Sequence, residues 1–366
     1  MRVLIAPNPF KHCLSAAQVA EALAKGFRAT GCQVDEMPLA DGGPGTLDAV
    51  QAALGGQRRY ARVQDALGRW VRAAWLKLGR LAVIESAEAI GLERLGRKRS
   101  PLKAGSEGLG QLLLAAQKAG CKEAWVGLGG SASTDGGSGM ARALGWHFLD
   151  EAGREVAPGG GELRRLAAVK RGPRLRIKVF GLCDVRNPLS GTQGAAHIFG
   201  PQKGASRAQV RHLDAGLKRL ASLTAPKLAR QAGAGAAGGL GFGLLAFAQG
   251  RLRPGADSLL KLAGFAARLG KADLVITGEG RLDSQTLQGK LPGQVLNAAK
   301  KAGKACVLVA GEAQGSPRAW KKRGAAAVLA LRQGRITKAQ ALKQAPVLLR
   351  RLAQGLGLAL KGRRAV

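Results

Sequence analysis

The chain has 366 residues, with 58 Lys or Arg against 23 Asp or Glu, a formal net charge of +35. This length predicts about two domains, and the 46% hydrophobic content excludes whole-chain disorder. Such basicity suits a polyanionic partner, yet the aromatic content is only eight Phe, five Trp and one Tyr. Basic residues occur throughout rather than in one stripe, and no helix-turn-helix, zinc-finger or RNP signature is present. A specific nucleic-acid partner is therefore not expected. No run of ~18 apolar residues predicts a membrane span, and no signal-peptide core precedes Pro7 and Pro9. Five widely spaced cysteines without a C-x-x-C pair point to a reducing, cytoplasmic setting.

In chain order, Val3 to Ala6 reads as a buried strand, followed by a helix from Ser15 to Ala29. Ser15 is its candidate N-cap, and Val19, Leu23 and Phe27 recur at helical spacing. A second strand spans Val34 to Leu39. From Arg58 to Ile90 the texture changes to alternating runs such as Tyr60-Ala61-Arg62-Val63 with turns at Gly68 and Gly79, which predicts antiparallel strands. A strand at Ala124 to Leu128 and a helix from Ser138 to Leu144 follow, then a second antiparallel region after Trp146 that includes Ile177 to Leu182. Further strands are expected at Leu274 to Thr277, Val307 to Ala310 and Ala326 to Leu331, with a solvated basic tail from Arg350 to Val366. Strands alternating with helices predict an α/β fold built on a parallel sheet, made discontinuous by an inserted second domain. The expected division is 1–57, 100–145 and 270–366 for the first domain, and 58–99 and 146–269 for the second. Ligands of such sheets bind beyond the carboxyl ends of the strands.

With so few acidic residues, their placement is informative. Asp41, Asp135, Glu279 and Asp283 sit inside glycine-rich loops, and Asp184 follows the apolar run Val179 to Cys183. A carboxylate at a strand end beside glycines can hold Mg²⁺, accept a proton or orient a hydroxyl; taken singly, each is equally well an Asx-turn or a helix cap. Two loops, Gly129-Gly-Ser131-Ala-Ser133 and Gly233 to Gly239, suit backbone capture of phosphate, with Ser131, Ser133, Gly235 and Gly238 as candidate contacts. Neither is a Walker A loop. Gly127, Gly129 and Ala132 match a dinucleotide fingerprint, a weak signal in a chain with 55 glycines. Lys11, beyond the first strand, can neutralise a transferring phosphoryl group; Lys203 and Lys290 are similar candidates. The four histidines show no zinc-ligand spacing.

Seven motifs in one order resemble the bacterial glycerate kinase family. They are Ile5-Ala-Pro-Asn-Pro-Phe-Lys11, Ala40-Asp-Gly-Gly-Pro-Gly-Thr46, Gly129-Gly-Ser-Ala-Ser-Thr-Asp-Gly-Gly137, Cys183-Asp-Val-Arg-Asn-Pro-Leu189, Phe199-Gly-Pro-Gln-Lys-Gly-Ala205, Gly233-Ala-Gly-Ala-Ala-Gly-Gly239 and Leu274-Val-Ile-Thr-Gly-Glu-Gly-Arg-Leu-Asp-Ser-Gln-Thr286. The resemblance implies a flavodoxin-like parallel-sheet domain, an inserted α/β domain containing antiparallel strands, and a cleft between them for ATP, Mg²⁺ and D-glycerate. A second copy of the chain is a candidate partner. The implied reaction is phosphoryl transfer to a hydroxyl of D-glycerate, favouring the 2-position; kinase action on another small hydroxy acid is the alternative.

Such transfer needs positioning, a metal, cationic donors and a carboxylate base. Asp184 is the candidate base and Lys11 the catalytic cation. Asp41, Glu279 and Asp283 are the candidate metal ligands. Asn8, Asn187, Lys203, Arg281 and Lys290 join the substrate and phosphate contacts. The family pattern carries an acidic residue where Asn8 stands and Glu where Pro44 stands. Asn8 can hydrogen-bond a hydroxyl but cannot be a base or an anionic ligand, and Pro44 lacks both a carboxylate and a backbone donor.

Overall fold

In a computed structural model the structure describes residues 1–11, 13–283, 286, 290–332 and 337–362. His12, Ser284 and Gln285 of the last motif, and Arg363 and Arg364 of the tail lie outside the described residues. The chain divides into two compact units, one of residues 1–41, 48–55 and 256–366, the other of 42–47 and 56–255. Its strands are β1 Arg2–Ile5, β2 Gln33–Glu36, β3 Gln57–Gln64, β4 Trp70–Leu78, β5 Leu81–Glu85, β6 Glu123–Gly127, β7 His147–Leu149, β8 Ala168–Lys170, β9 Lys178–Leu182, β10 Arg251–Arg253, β11 Leu274–Leu282, β12 Ala305–Ala313 and β13 Ala327–Ala330.

The first unit holds a five-stranded sheet in the order β13-β12-β11-β1-β2, with every pairing parallel. Numbered within the unit this is 2-1-3-4-5, the flavodoxin-like order. Strand alternation sends Val3, Ile5, Leu274, Ile276, Val307 and Val309 to one core, and Leu4, Ala6, Val275, Leu308 and Ala310 to another. Both faces of the sheet are therefore covered, as an all-parallel sheet requires. The helix Ala16–Arg28 starts at a capping box, in which the Gln18 amide donates to Ser15 Oγ at 3.2 Å and the Ser15 amide to Gln18 Oε1 at 2.9 Å. It buries Val19, Leu23 and Phe27, each contributing roughly 1.5–3 kcal/mol of transfer free energy. The carboxyl-terminal segment differs from its expected solvated state. Residues Ala345–Gly362 form a helix whose Leu349, Ala353 and Gly357 are buried against Ala16–Arg28. Its apolar positions recur at helical spacing, and the basic residues occupy the outer face.

The second unit is built on a six-stranded mixed sheet, β10-β9-β6-β5-β4-β3. The expected antiparallel region is β3-β4-β5, and β7 and β8 form a second antiparallel pair. Two expectations change. Residues 100–145 belong to this unit rather than the first, because β6 pairs with β5 and β9 and the helix Glu107–Lys118 packs its Leu109, Leu112 and Leu113 into the same core. Strand β9 is parallel to both β6 and β10, not antiparallel. An apolar run such as Ala124 to Leu128 states that it is buried; it does not state in which sheet. Around Phe247 the rings of Trp146, Phe148 and Phe242 pack edge-on at centroid distances of 5.0, 5.7 and 6.0 Å. Among the described residues no helix is long and apolar enough to cross a membrane.

Candidate active site

In the first unit, the strand order reverses between β1 and β11, and the residues after their carboxyl ends converge there. Asn8 follows β1; its amide donates to Gly278 O at 2.8 Å. The side chain is buried, and Oδ1 has no hydrogen-bond partner among the described residues. An orphaned acceptor at a switch point is a place where a ligand donor or cation belongs. Lys11 is exposed on the turn closed by the Phe10–Leu14 bridge, and that turn lies over Gly280.

Glu279 lies on β11, and its Oε1 accepts the Thr286 hydroxyl at 2.7 Å. Thr286 also bonds Asp283 through backbone and side chain at 3.1 and 3.2 Å, and Lys290 Nζ stands 3.4 Å from Asp283 Oδ1. Burial pushes the Glu279 carboxyl above its usual range; the Thr286 bond and the charges of Lys290 and Lys11 oppose that rise, while Asp283 adds to it. Arg281, two residues further along β11, is exposed. Asp41 is half-buried at the end of the 1–41 segment.

The three-carboxylate metal set is not assembled. Among the described residues no three His, Cys, Asp or Glu side chains are placed to hold a metal ion. Glu279 and Asp283 alone form a linked pair, through Thr286. Such a pair, with the neighbouring orphaned Asn8 Oδ1, fits Mg²⁺ carried on substrate phosphates, since that ion needs only one or two protein carboxylates.

In the second unit, the loops leaving β5, β6 and β9 meet backbone to backbone. Glu85, the last residue of β5, is buried; its Oε1 accepts the Leu47 amide at 2.6 Å and its Oε2 the Gly45 amide at 3.3 Å. This fastens the Gly42–Leu47 segment, whose Gly42 O accepts the Gly129 amide at 3.1 Å. Glu85 was not singled out by the sequence motifs. Its signal is a lone acid ending the apolar run Leu81 to Ile84.

Asp184 follows β9 and is exposed; its Oδ1 accepts the Gly255 amide at 2.9 Å. Asn187 commits its side-chain amide to Gln193 O at 2.8 Å, and its backbone O accepts the Gly235 amide at 2.9 Å.

The two glycine loops pack on each other rather than standing open as separate cradles. The Gly136 amide donates to Gly238 O at 3.1 Å. Amides at Gly129, Ala132, Gly136, Gly137, Gly139 and Gly235 all bond within the unit, so they do not form a free anion nest. Ser131 and Ser133 are buried, as is Lys203 at 3% exposure, which donates through Nζ to the Ser133 carbonyl. Ser133 and Lys203 are thus tied to each other in the interior, not presented to a phosphate. Asp135 is fully buried and accepts from Ser106 Oγ at 2.7 Å, Gly137 N at 3.1 Å and Gly139 N at 3.0 Å. Burial raises its carboxyl above the ordinary range against those bonds. Burial, with the Asp135 charge, pushes Glu107 up to about 7.

Residues 3–361 match the family described as the glycerate kinase family. A protein named glycerate kinase from Halalkalibacterium halodurans is 40% identical over 369 residues, covering 97% of each chain. One named glycerate 2-kinase from Escherichia coli is 43% identical over 324 residues, covering 85% of each. A crystal structure titled as a putative glycerate kinase 2 from Salmonella typhimurium superposes with a TM-score of 0.87 at 39% identity over the whole of both chains.

Proposed function

The chain belongs to the glycerate kinase family and is a kinase acting on glycerate, and we propose that it transfers the γ-phosphoryl group of ATP to the 2-hydroxyl of D-glycerate. The observation that carries the reading is the group set at the β1/β11 switch point, where Asn8, Lys11, Glu279, Asp283 and Lys290 gather. Two carboxylates, an orphaned amide oxygen and two lysines suit a polyphosphate and its cation. The name of the Escherichia coli relative supports the 2-position for that protein.

Each residue then has a stated task. Glu279 and Asp283 hold magnesium, with Thr286 fixing the direction of the Glu279 carboxylate. Magnesium supplies charge neutralisation on the phosphate oxygens. Lys11 and Lys290 add positive charge where the transferring group gains negative charge. Asp184 accepts the proton of the attacking hydroxyl; the Gly255 amide holds its other face in place. The five cysteines are free thiols, which agrees with a cytoplasmic reaction. The net charge of +35 attracts both anionic substrates without choosing between them.

The test is incubation of purified protein with ATP, Mg²⁺ and a panel of small hydroxy acids, following ADP release. D-glycerate is expected to give the highest kcat/KM. A clear preference for another hydroxy acid would reject D-glycerate as the substrate.

A further inference from the structure

Lys203 is the most deeply buried cation for which the switch-point chemistry leaves no task. It closes the short turn Pro201–Lys203 and is 3% exposed. Among the described residues no carboxylate comes within ion-pair range of its Nζ; the partner is the Ser133 carbonyl, 70 residues away in sequence. Burying an amine this way is costly unless its bond matters, and burial pushes its pKa down to about 7, opposed by Asp135.

The same carbonyl is pressed from another side by Gly238, where an added Cβ would overlap the Ser133 oxygen. Two residues on, Asp135 gathers the Ser106 hydroxyl and the Gly137 and Gly139 amides, and Ser106 Oγ in turn accepts the Met140 amide at 2.9 Å. The loop 131–135 is thereby fixed from the Pro201–Lys203 turn, from the helix Glu107–Lys118 through the preceding Ser106, and from the 233–239 loop. The free end of this braced segment is Gly129–Gly130. Gly130 is exposed just past the carboxyl end of β6, and Gly129 bonds the Gly42 turn that precedes Pro44 and Thr46.

We propose that Lys203 and Ser106 are positioning residues for phosphoryl transfer, bracing the Gly129–Asp135 loop from inside without touching ATP or glycerate. The inference rests on the proposed kinase reaction. Displacement of a substrate-facing segment by ~1 Å costs up to about 10²-fold in rate, so the signature is a loss in kcat at nearly constant KM.

The experiment measures kcat, both KM values and the thermal midpoint for wild type, Lys203→Met and Ser106→Ala. Methionine keeps the length of the lysine stem but removes Nζ. The expected result is a fall in kcat of about 10–100-fold for Lys203→Met, a smaller fall for Ser106→Ala, and KM values within about threefold of wild type. Normal kcat per folded molecule with only a lowered midpoint would show a structural prop and overturn the proposal. A large rise in KM for ATP at unchanged kcat would place Lys203 on the nucleotide and overturn it equally. Should Lys203→Met fail to fold, Ser106→Ala decides alone, and an unchanged kcat in it rejects the brace. Inactive wild type would instead refute the kinase reading itself.

Discussion

Asparagine in place of Asp184 is expected to lower kcat by about 10²–10⁴-fold, the contribution of a general base, while KM for ATP and the thermal midpoint stay near wild type. The substitution isolates the proton-accepting role. The Asp184 side chain is exposed at the end of β9, and Oδ1 accepts the Gly255 amide at 2.9 Å. An asparagine carbonyl oxygen can accept that same bond, so the strand-end geometry is retained. What is lost is the charge and the capacity to take a proton. Steady-state kinetics with saturating D-glycerate, alongside nucleotide binding by calorimetry, checks the split. Turnover within a few-fold of wild type would remove Asp184 from the reaction and turn attention to the remaining carboxylates.

The second large effect is on folding. Gly238→Ala is expected to destabilise the protein by about 2–5 kcal/mol, combining the left-handed backbone cost with overpacking. Gly238 has φ +74°, and the added methyl would overlap the Ser133 carbonyl oxygen and stand 2.8 Å from Thr134 Cα. Neither obstacle is the end of a flexible side chain. Gly79→Ala is the matched control: φ is +57° and nothing lies within 4 Å of the added methyl. It should cost only the backbone term, about 1–2 kcal/mol. Thermal unfolding of the two variants separates the contributions. Equal midpoints would mean that the two loops can part without loss, contrary to the packing described.

Much of this molecule could be read from local chemistry. The Ser15 cap, the 3.6-residue recurrence of Val19, Leu23 and Phe27, and the β3–β4 alternation are short-range signals, and each matches the structure. The position of β6 is a long-range fact. Its five residues are apolar enough for either sheet, and only pairing with β5 and β9 decides. The glycine loops were legible as close backbone approaches, but not as approaches to each other, because a glycine advertises space without naming its neighbour. For the same reason Ser133 and Lys203 looked like phosphate contacts: a lysine beside glycines reads identically whether its Nζ points to solvent or to a carbonyl. Glu85 went unmarked since a single acid after a strand has no motif, although the buried carboxylate holds two amides of the Gly42–Leu47 segment. The switch-point residues Asn8, Lys11 and Glu279 were found by their place after strands, the part of an α/β pattern that carries over from sequence to fold.

The most direct measurement is a phosphorus NMR spectrum of the product formed from D-glycerate, ATP and Mg²⁺ by the purified protein. The account predicts a single new phosphomonoester, coupled to the one proton on C2 and therefore split as a doublet. A triplet from phosphate on the C3 methylene would contradict the 2-hydroxyl assignment, and a spectrum showing only ATP after prolonged incubation would contradict the proposed reaction.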